Sequence, residues 1–151
     1  MIHAQKAKWL MLTPPAAKVD NASVTVAELD TAGWDYLELL VAIGDLDIAL
    51  SALKLTESDA TGSGHVDISG TVIGTDANIA GTTSSLPAAD DDNKMWLFQL
   101  DLRKRKRFID AVITVGDGTT GAYVVVFARL SRGEIAPLTA AQAGVEEILR
   151  V

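Results

Sequence analysis

The chain has 151 residues, 48% apolar but only 5% aromatic, with no cysteine, 22% charged residues and a formal net charge of −7. At roughly 100–200 residues per domain there is room for one core and no second one, and the apolar fraction excludes an intrinsically disordered chain. Without cysteine, disulfide staples, cysteine-based zinc sites and thiol nucleophiles are excluded, and the redox compartment is unreadable.

Mean hydropathy is positive, at +0.23. Much of the apolar count is alanine, and a chain of this kind invites burial of surface against copies of itself. At the N-terminus Lys6 and Lys8 precede Trp9, Leu10, Met11 and Leu12, which superficially resembles a secretory signal. The apolar run is too short for one, and Pro14 and Pro15 cut it off. No apolar stretch approaches the roughly 20 residues that span a bilayer, so a soluble protein with no membrane partner is expected. Residues 1–15 are read as an extended N-terminal arm carrying a short strand, tied down by Trp9, Leu10 and Leu12. At about 3.3 Å per residue the arm would reach roughly 50 Å, across a neighbouring subunit. The alternative is an edge strand folded back on its own domain, which spans residues 16–151.

Apolar residues then alternate at period two, the mark of half-buried strands. Val24, Val26 and residues 27–29 form one run and residues 34–43 the next, with a turn at residues 30–33 that suggests a hairpin. In the second run Leu37, Leu39, Val41 and Ile43 share one face, while Tyr36, Glu38 and Leu40 share the other. Residues 48–57 read as a strand, and residues 65–73 as a weaker one. Residues 74–94 are rich in Gly, Thr, Ser, Ala and Asp, and a connection of that length is either a solvated loop or a binding loop. Residues 95–102 place Trp96, Phe98 and Leu100 on one face and Leu97, Gln99 and Asp101 on the other. Residues 108–115 and 122–130 are two further strands, joined by a glycine-rich turn at residues 116–121 that reads as a hairpin loop. Thr139 and Gln142 have capping-box spacing, which predicts a short C-terminal helix or docking tail. About eight strands with few long helices predict a mainly β fold, a sandwich or barrel.

No motif carries catalytic chemistry. Ser63, His65 and Asp67 lie too close along an extended chain to converge as a triad. The acidic clusters at residues 45–47 and 90–93 supply oxygens of the kind calcium takes, but neither has EF-hand spacing, so solvated carboxylates are the expectation. Paired carboxylates for glycoside hydrolysis are a spatial matter that nothing here suggests. Neither enzymatic activity nor a metal or cofactor is expected.

Residues 103–107 are five consecutive cations. The acidic net charge and the lack of interleaved aromatics argue against nucleic acid as a partner. If extended, Arg103, Arg105 and Arg107 project to one side and Lys104 and Lys106 to the other, able to pair with carboxylates of an adjacent subunit or of their own domain.

The strings at residues 33–39 (GWDYLEL), 53–59 (LKLTESD), 101–108 (DLRKRKRF) and 130–137 (LSRGEIAP) together resemble a group of tailed-phage and prophage structural proteins, the capsid decoration or cement proteins. The resemblance runs from about Ser23 to the C-terminus, and its one distinctive string is the basic one. It implies a jelly-roll-like antiparallel β-sandwich that sits on the outer surface of the capsid in the virion, made in the host bacterial cytoplasm. Its implied partners are the major capsid protein and the chain itself, as a homotrimer ahead of a homodimer. Trp9, Leu10, Leu12, Arg103, Arg105 and Arg107 are the candidate capsid or subunit contacts, the arm's clamping role being inferred from its length alone. A tail or head-completion component and a β-sandwich carbohydrate-binding module are the competing expectations.

Overall fold

Leucine, valine and isoleucine at every second position set the strands, and the dry side of each strand decides how they stack. A computed structural model describes residues 3–135 and 138–149. Met1 and Ile2 of the expected arm, and Ala136 and Pro137 of the last matching string, lie outside them. The strands are β1 (Ala7–Thr13), β2 (Leu29–Asp30), β3 (Tyr36–Leu46), β4 (Ala52–Ser58), β5 (Val66–Asp67), β6 (Met95–Asp101), β7 (Phe108–Thr114) and β8 (Ala122–Ser131). They form two antiparallel four-stranded sheets, in the orders β1-β8-β3-β6 and β2-β7-β4-β5. Among the described residues helix is limited to 3-10 turns at His3–Lys6 and Leu102–Lys104.

One hydrophobic cluster draws on both sheets. Leu37, Leu39, Val41 and Ile43 of β3 are at most 2% exposed, as are Leu53 and Leu55 of β4 and Ile109 and Ile113 of β7. Burial of each such side chain is worth about 1.5–3 kcal/mol. Leu50, Ile68, Ile73 and Leu86 close the cluster from the loops.

The N-terminal segment does not project as an arm over its described strand. β1 pairs along β8 from Ala7 opposite Ser131 to Thr13 opposite Val126, with a register shift between Met11 and Thr13. It is an edge strand of its own sheet, because the inward side chain of Leu12 reaches the shared core.

Neither expected hairpin forms. β2 pairs with β7 while β3 lies in the other sheet, so residues 30–33 carry the chain between sheets. Residues 116–121 do the same between β7 and β8. Glycine and aspartate satisfy the turn in either case, and the difference lies in which strands the dry faces select. The second crossover is held by Asp47, whose carboxylate accepts the N–H groups of Thr119 and Thr120, each at 2.5 Å. Gly118 passes directly against that carboxylate, leaving no room for a β-carbon.

Of the strand expected at residues 65–73 only Val66–Asp67 pairs regularly. The chain still follows β4, with the Ile68 N–H donating to the Leu55 carbonyl and the Ile73 N–H to that of Leu53, both at 3.0 Å. At the C-terminus Gln142 donates its N–H to Thr139 Oγ1 and accepts the Thr139 N–H, so the capping box forms. One turn follows instead of a helix, since Gly144 at φ +75° ends it and Ala143 and Leu138 are buried. The turn docks on the outer edge of β1, where the Trp9 N–H donates to the Ala143 carbonyl at 2.8 Å.

The hydrogen bonds from Thr120 and Thr119 hold the Asp47 carboxyl at a pKa of about 2, below its ordinary 3.8. Between those values the unfolded chain binds more protons than the folded one, so this contribution is present above about pH 4 and is lost as pH falls towards 2. Asp47→Asn is expected to lower the melting temperature at pH 7 and to flatten the acid limb of the stability profile, read by thermal unfolding from pH 7 to pH 2.

Candidate interaction surface

The alternation that dries one face of sheet β1-β8-β3-β6 fixes what its other face presents. Met11 lies opposite Phe127, Phe127 opposite Leu40 and Leu40 opposite Leu97, a row of apolar residues crossing all four strands. The next row is Val125, Ala42 and Met95, and Tyr123 follows along β8. Met95 is 65% exposed, Leu97 55%, Met11 52%, Trp9 48% and Tyr123 45%. The solvated side of an antiparallel sheet is ordinarily polar. Two of these five are aromatic, each with about 150–250 Å² of side-chain surface, so the half-exposed group presents on the order of a few hundred Å². That is the size of the largest patch on a typical monomer, ~300–600 Å² and often functional.

The row on the opposite side is Trp9, Arg129, Glu38 and Gln99. Arg129 donates to Glu38 at 2.5 Å, and its guanidinium lies 5.7 Å from the Trp9 ring centroid. This pair cancels its own charge, and in the next row, Ser131, Tyr36 and Asp101, the exposed Asp101 pairs with Arg103, so the charges on the face are paired.

Of the N-terminal candidates Trp9 stands on this face. Leu10 is half-buried against the core and Leu12 is 5% exposed, so both turn inward. The basic run is not one extended row, because Leu102–Lys104 is a 3-10 turn. Arg103 pairs with Asp101, Arg105 with Glu57 at 3.4 Å and Lys106 with Asp59 at 3.7 Å. Arg107 makes a two-pronged contact with Asp30, at 2.8 and 2.7 Å. The Arg103 guanidinium holds the Asp101 carboxyl well below the usual carboxylate range, and Arg107 lowers that of Asp30. Of the two expected classes of partner, the structure pairs these cations with carboxylates of their own domain. Exposed pairs contribute little net stability, so they organise the loop more than they stabilise the fold.

In the acidic clusters exposed Asp45 pairs with Lys18, while Asp47, Asp91 and Asp92 accept backbone N–H groups. Asp92 accepts the Leu46 N–H at 2.8 Å, and Asp91 accepts from Ala88 N–H and from Lys94. Among the described residues no three His, Asp or Glu side chains converge on a common metal position. His65 donates from Nε2 to the Glu28 carboxylate at 2.7 Å and shares a hydrogen bond with the Thr56 hydroxyl at 3.3 Å through Nδ1. Both ring nitrogens are thus engaged within the fold. Thr61, then the Gly62 N–H, lowers the Glu28 carboxyl, while burial raises that of nearby Asp110.

Nothing along the sequence marks Met11, Met95, Tyr123 or Phe127 as members of one surface. Period two already places Leu97 and Leu40 outward, but joining them into one surface requires the strand order.

No family model matches the chain, and no curated protein does. Among solved structures, the SPBc2 prophage-derived protein YomS is similar over 82% of this chain and 91% of that one, at 17% identity and a TM-score of 0.47.

Because Met11 and Leu97 are already half in water, Met11→Lys with Leu97→Lys is expected to change folding stability by no more than about 0.5 kcal/mol per site. The same double variant is expected to lose most of the fluorescence of a dye that binds exposed apolar surface, measured on folded protein.

Proposed function

We propose that the protein is a virion structural component, a capsid decoration or cement protein that binds the outer surface of an assembled phage head and stabilises contacts between capsomers. The observation that carries this reading is the apolar outer face of sheet β1-β8-β3-β6. A contiguous apolar row with its flanking charges paired matches in kind the interface of a protein that works by docking. The four strings quoted above support the phage assignment. The strand orders 1-8-3-6 and 2-7-4-5, in eight antiparallel strands, support a jelly-roll-like sandwich, an architecture used in capsids.

In this reading the major capsid protein receives the apolar face, and the chain itself associates as a homotrimer ahead of a homodimer. Energy comes from area and repetition in place of a reaction. Linking several modest contacts raises overall avidity by about 10²–10⁴ when the geometry lets them engage together. Closed symmetry lets one patch serve each subunit contact. Neither nucleic acid nor membrane is a partner, and the protein is made in the bacterial cytoplasm and ends on the head.

Purified protein added to preformed heads that lack it is expected to bind and to raise their resistance to heat or chelator. The Met11→Lys, Leu97→Lys double variant is expected to bind at least tenfold more weakly while melting normally. Binding to tails or unassembled capsid subunits but not to mature shells would assign it another structural role. Replacing Arg103, Arg105 and Arg107 together by Gln is expected to weaken shell or subunit affinity most at low salt, measured by sedimentation across ionic strength; unchanged affinity would limit the run to its ion pairs with Asp101, Glu57 and Asp30.

A further inference from the structure

A strand at the margin of a sheet exposes a row of unpaired backbone donors and acceptors, and proteins blunt such edges. Three of the four edges here are blunted. β2 and β5 are two residues long. The outer edge of β1 is covered by the C-terminal turn at Trp9 and by Ala27, whose N–H donates to the Leu12 carbonyl at 2.9 Å. The fourth edge, β6, runs seven residues, about 23 Å at ~3.3 Å per residue.

The phase of its hydrogen bonds follows from its two ends. The Ile43 N–H donates to the Lys94 carbonyl at 3.1 Å, and the Leu102 N–H to the Asp35 carbonyl at 2.9 Å. Odd-numbered residues of β3 therefore bond to even-numbered residues of β6. The N–H and C=O groups of Leu97 and Gln99 point the other way, and no described residue bonds them. They open on a groove of about 540 Å³, bounded on one side by Trp96 to Leu100 and on the other by residues 70–85.

That far wall is held in shape by its own polar groups. Asp76 accepts the N–H groups of Gly70 and Val72, both at 2.8 Å, and the Asn78 side chain accepts that of Ala80 at 2.9 Å. At its tip Ile79 stands fully in water. An ordered wall that holds an isoleucine in solvent beside an unpaired strand edge has the parts of a strand-addition site, with main-chain bonds for affinity and apolar contacts for register.

We propose that this groove receives an extended segment of another polypeptide, which adds as a fifth strand beside β6 and sets apolar side chains at alternate positions against Leu97 and Ile79. Donors and acceptors at strand spacing are matched by another extended backbone. Asp76 is the one ionisable residue among the described lining residues. On a chain of charge −7 the groove therefore favours a segment carrying Lys or Arg and repels an acidic one.

The test uses the full chain and two capped heptapeptides of alternating threonine and valine, one with lysine and one with glutamate at the third position. Amide exchange by NMR is expected to be far faster at Leu97 and Gln99 than at Trp96 and Phe98 in the free protein. The lysine peptide is expected to slow exchange at Leu97 and Gln99 at least tenfold, and the glutamate peptide to bind at least tenfold more weakly. Leu97→Pro removes an N–H that pairs with nothing in the fold, so it is expected to weaken the lysine peptide at least tenfold with little change in melting temperature. If that variant melts early, Gln99→Pro reads the same outcome. The proposal is overturned if Leu97 and Gln99 exchange slowly in the free protein, or if millimolar lysine peptide leaves them unprotected. Protection at β1 instead, or concentration-dependent protection without peptide, which would make the occupant a second copy, also overturns it.

Discussion

The inward row of β3, Leu37, Leu39, Val41 and Ile43, is the constraint to which the other elements answer. β3 is hydrogen-bonded on both sides, to β6 and to β8, and its dry face meets Leu53 and Leu55 of β4 and Ile109 and Ile113 of β7 within one cluster. Because side chains alternate strictly along a strand, a one-residue slip would turn that whole row into water. The burial of this row therefore pins the register of β3 against both β6 and β8. β1 pairs in turn with β8, which is how the N-terminal strand comes to be an edge of this sheet.

The same alternation that dries the core writes the outer face. Once odd residues of β3 point inward, Glu38, Leu40 and Ala42 must point out. The register then lines up Met11, Phe127, Leu40 and Leu97 across four strands. Each of these residues alone would be an ordinary exposed apolar side chain. Together they are a contiguous surface, bordered by rows in which Arg129 pairs with Glu38 and Arg103 with Asp101. A −7 chain that offers a face whose charges are paired lowers the repulsion that a partner, or another copy, would meet there.

Charged residues elsewhere serve the connections. Asp47 gathers the crossover between β7 and β8, Asp30 and Glu57 take up Arg107 and the neighbouring Arg105, and Asp92 holds the end of β3. The acidic clusters and the basic run, the most conspicuous charge features along the chain, thus meet partners in their own domain. A carboxylate that accepts backbone N–H groups in a tight turn replaces the hydrogen bonds a regular ladder would have made, which is why the loops between sheets can be compact without being strands.

Period-two patterning determined the strand content from the residues alone: the rows Leu37 to Ile43 and Trp96 to Leu100, the short C-terminal capping box and the absence of long helices are all local properties of side-chain order. Sequence also determined that Leu97 and Leu40 face outward. What only the tertiary structure decided is which strands became neighbours. Turns at residues 30–33 and 116–121 have the chemistry of hairpins and act as crossovers, and cations spaced as one row are split by a 3-10 turn and matched to Asp101, Glu57 and Asp30. The candidate surface is legible only after that step, because backbone periodicity fixes the face of a residue within its own strand, whereas adjacency between strands far apart in the chain is set by the burial of both sheets against one core.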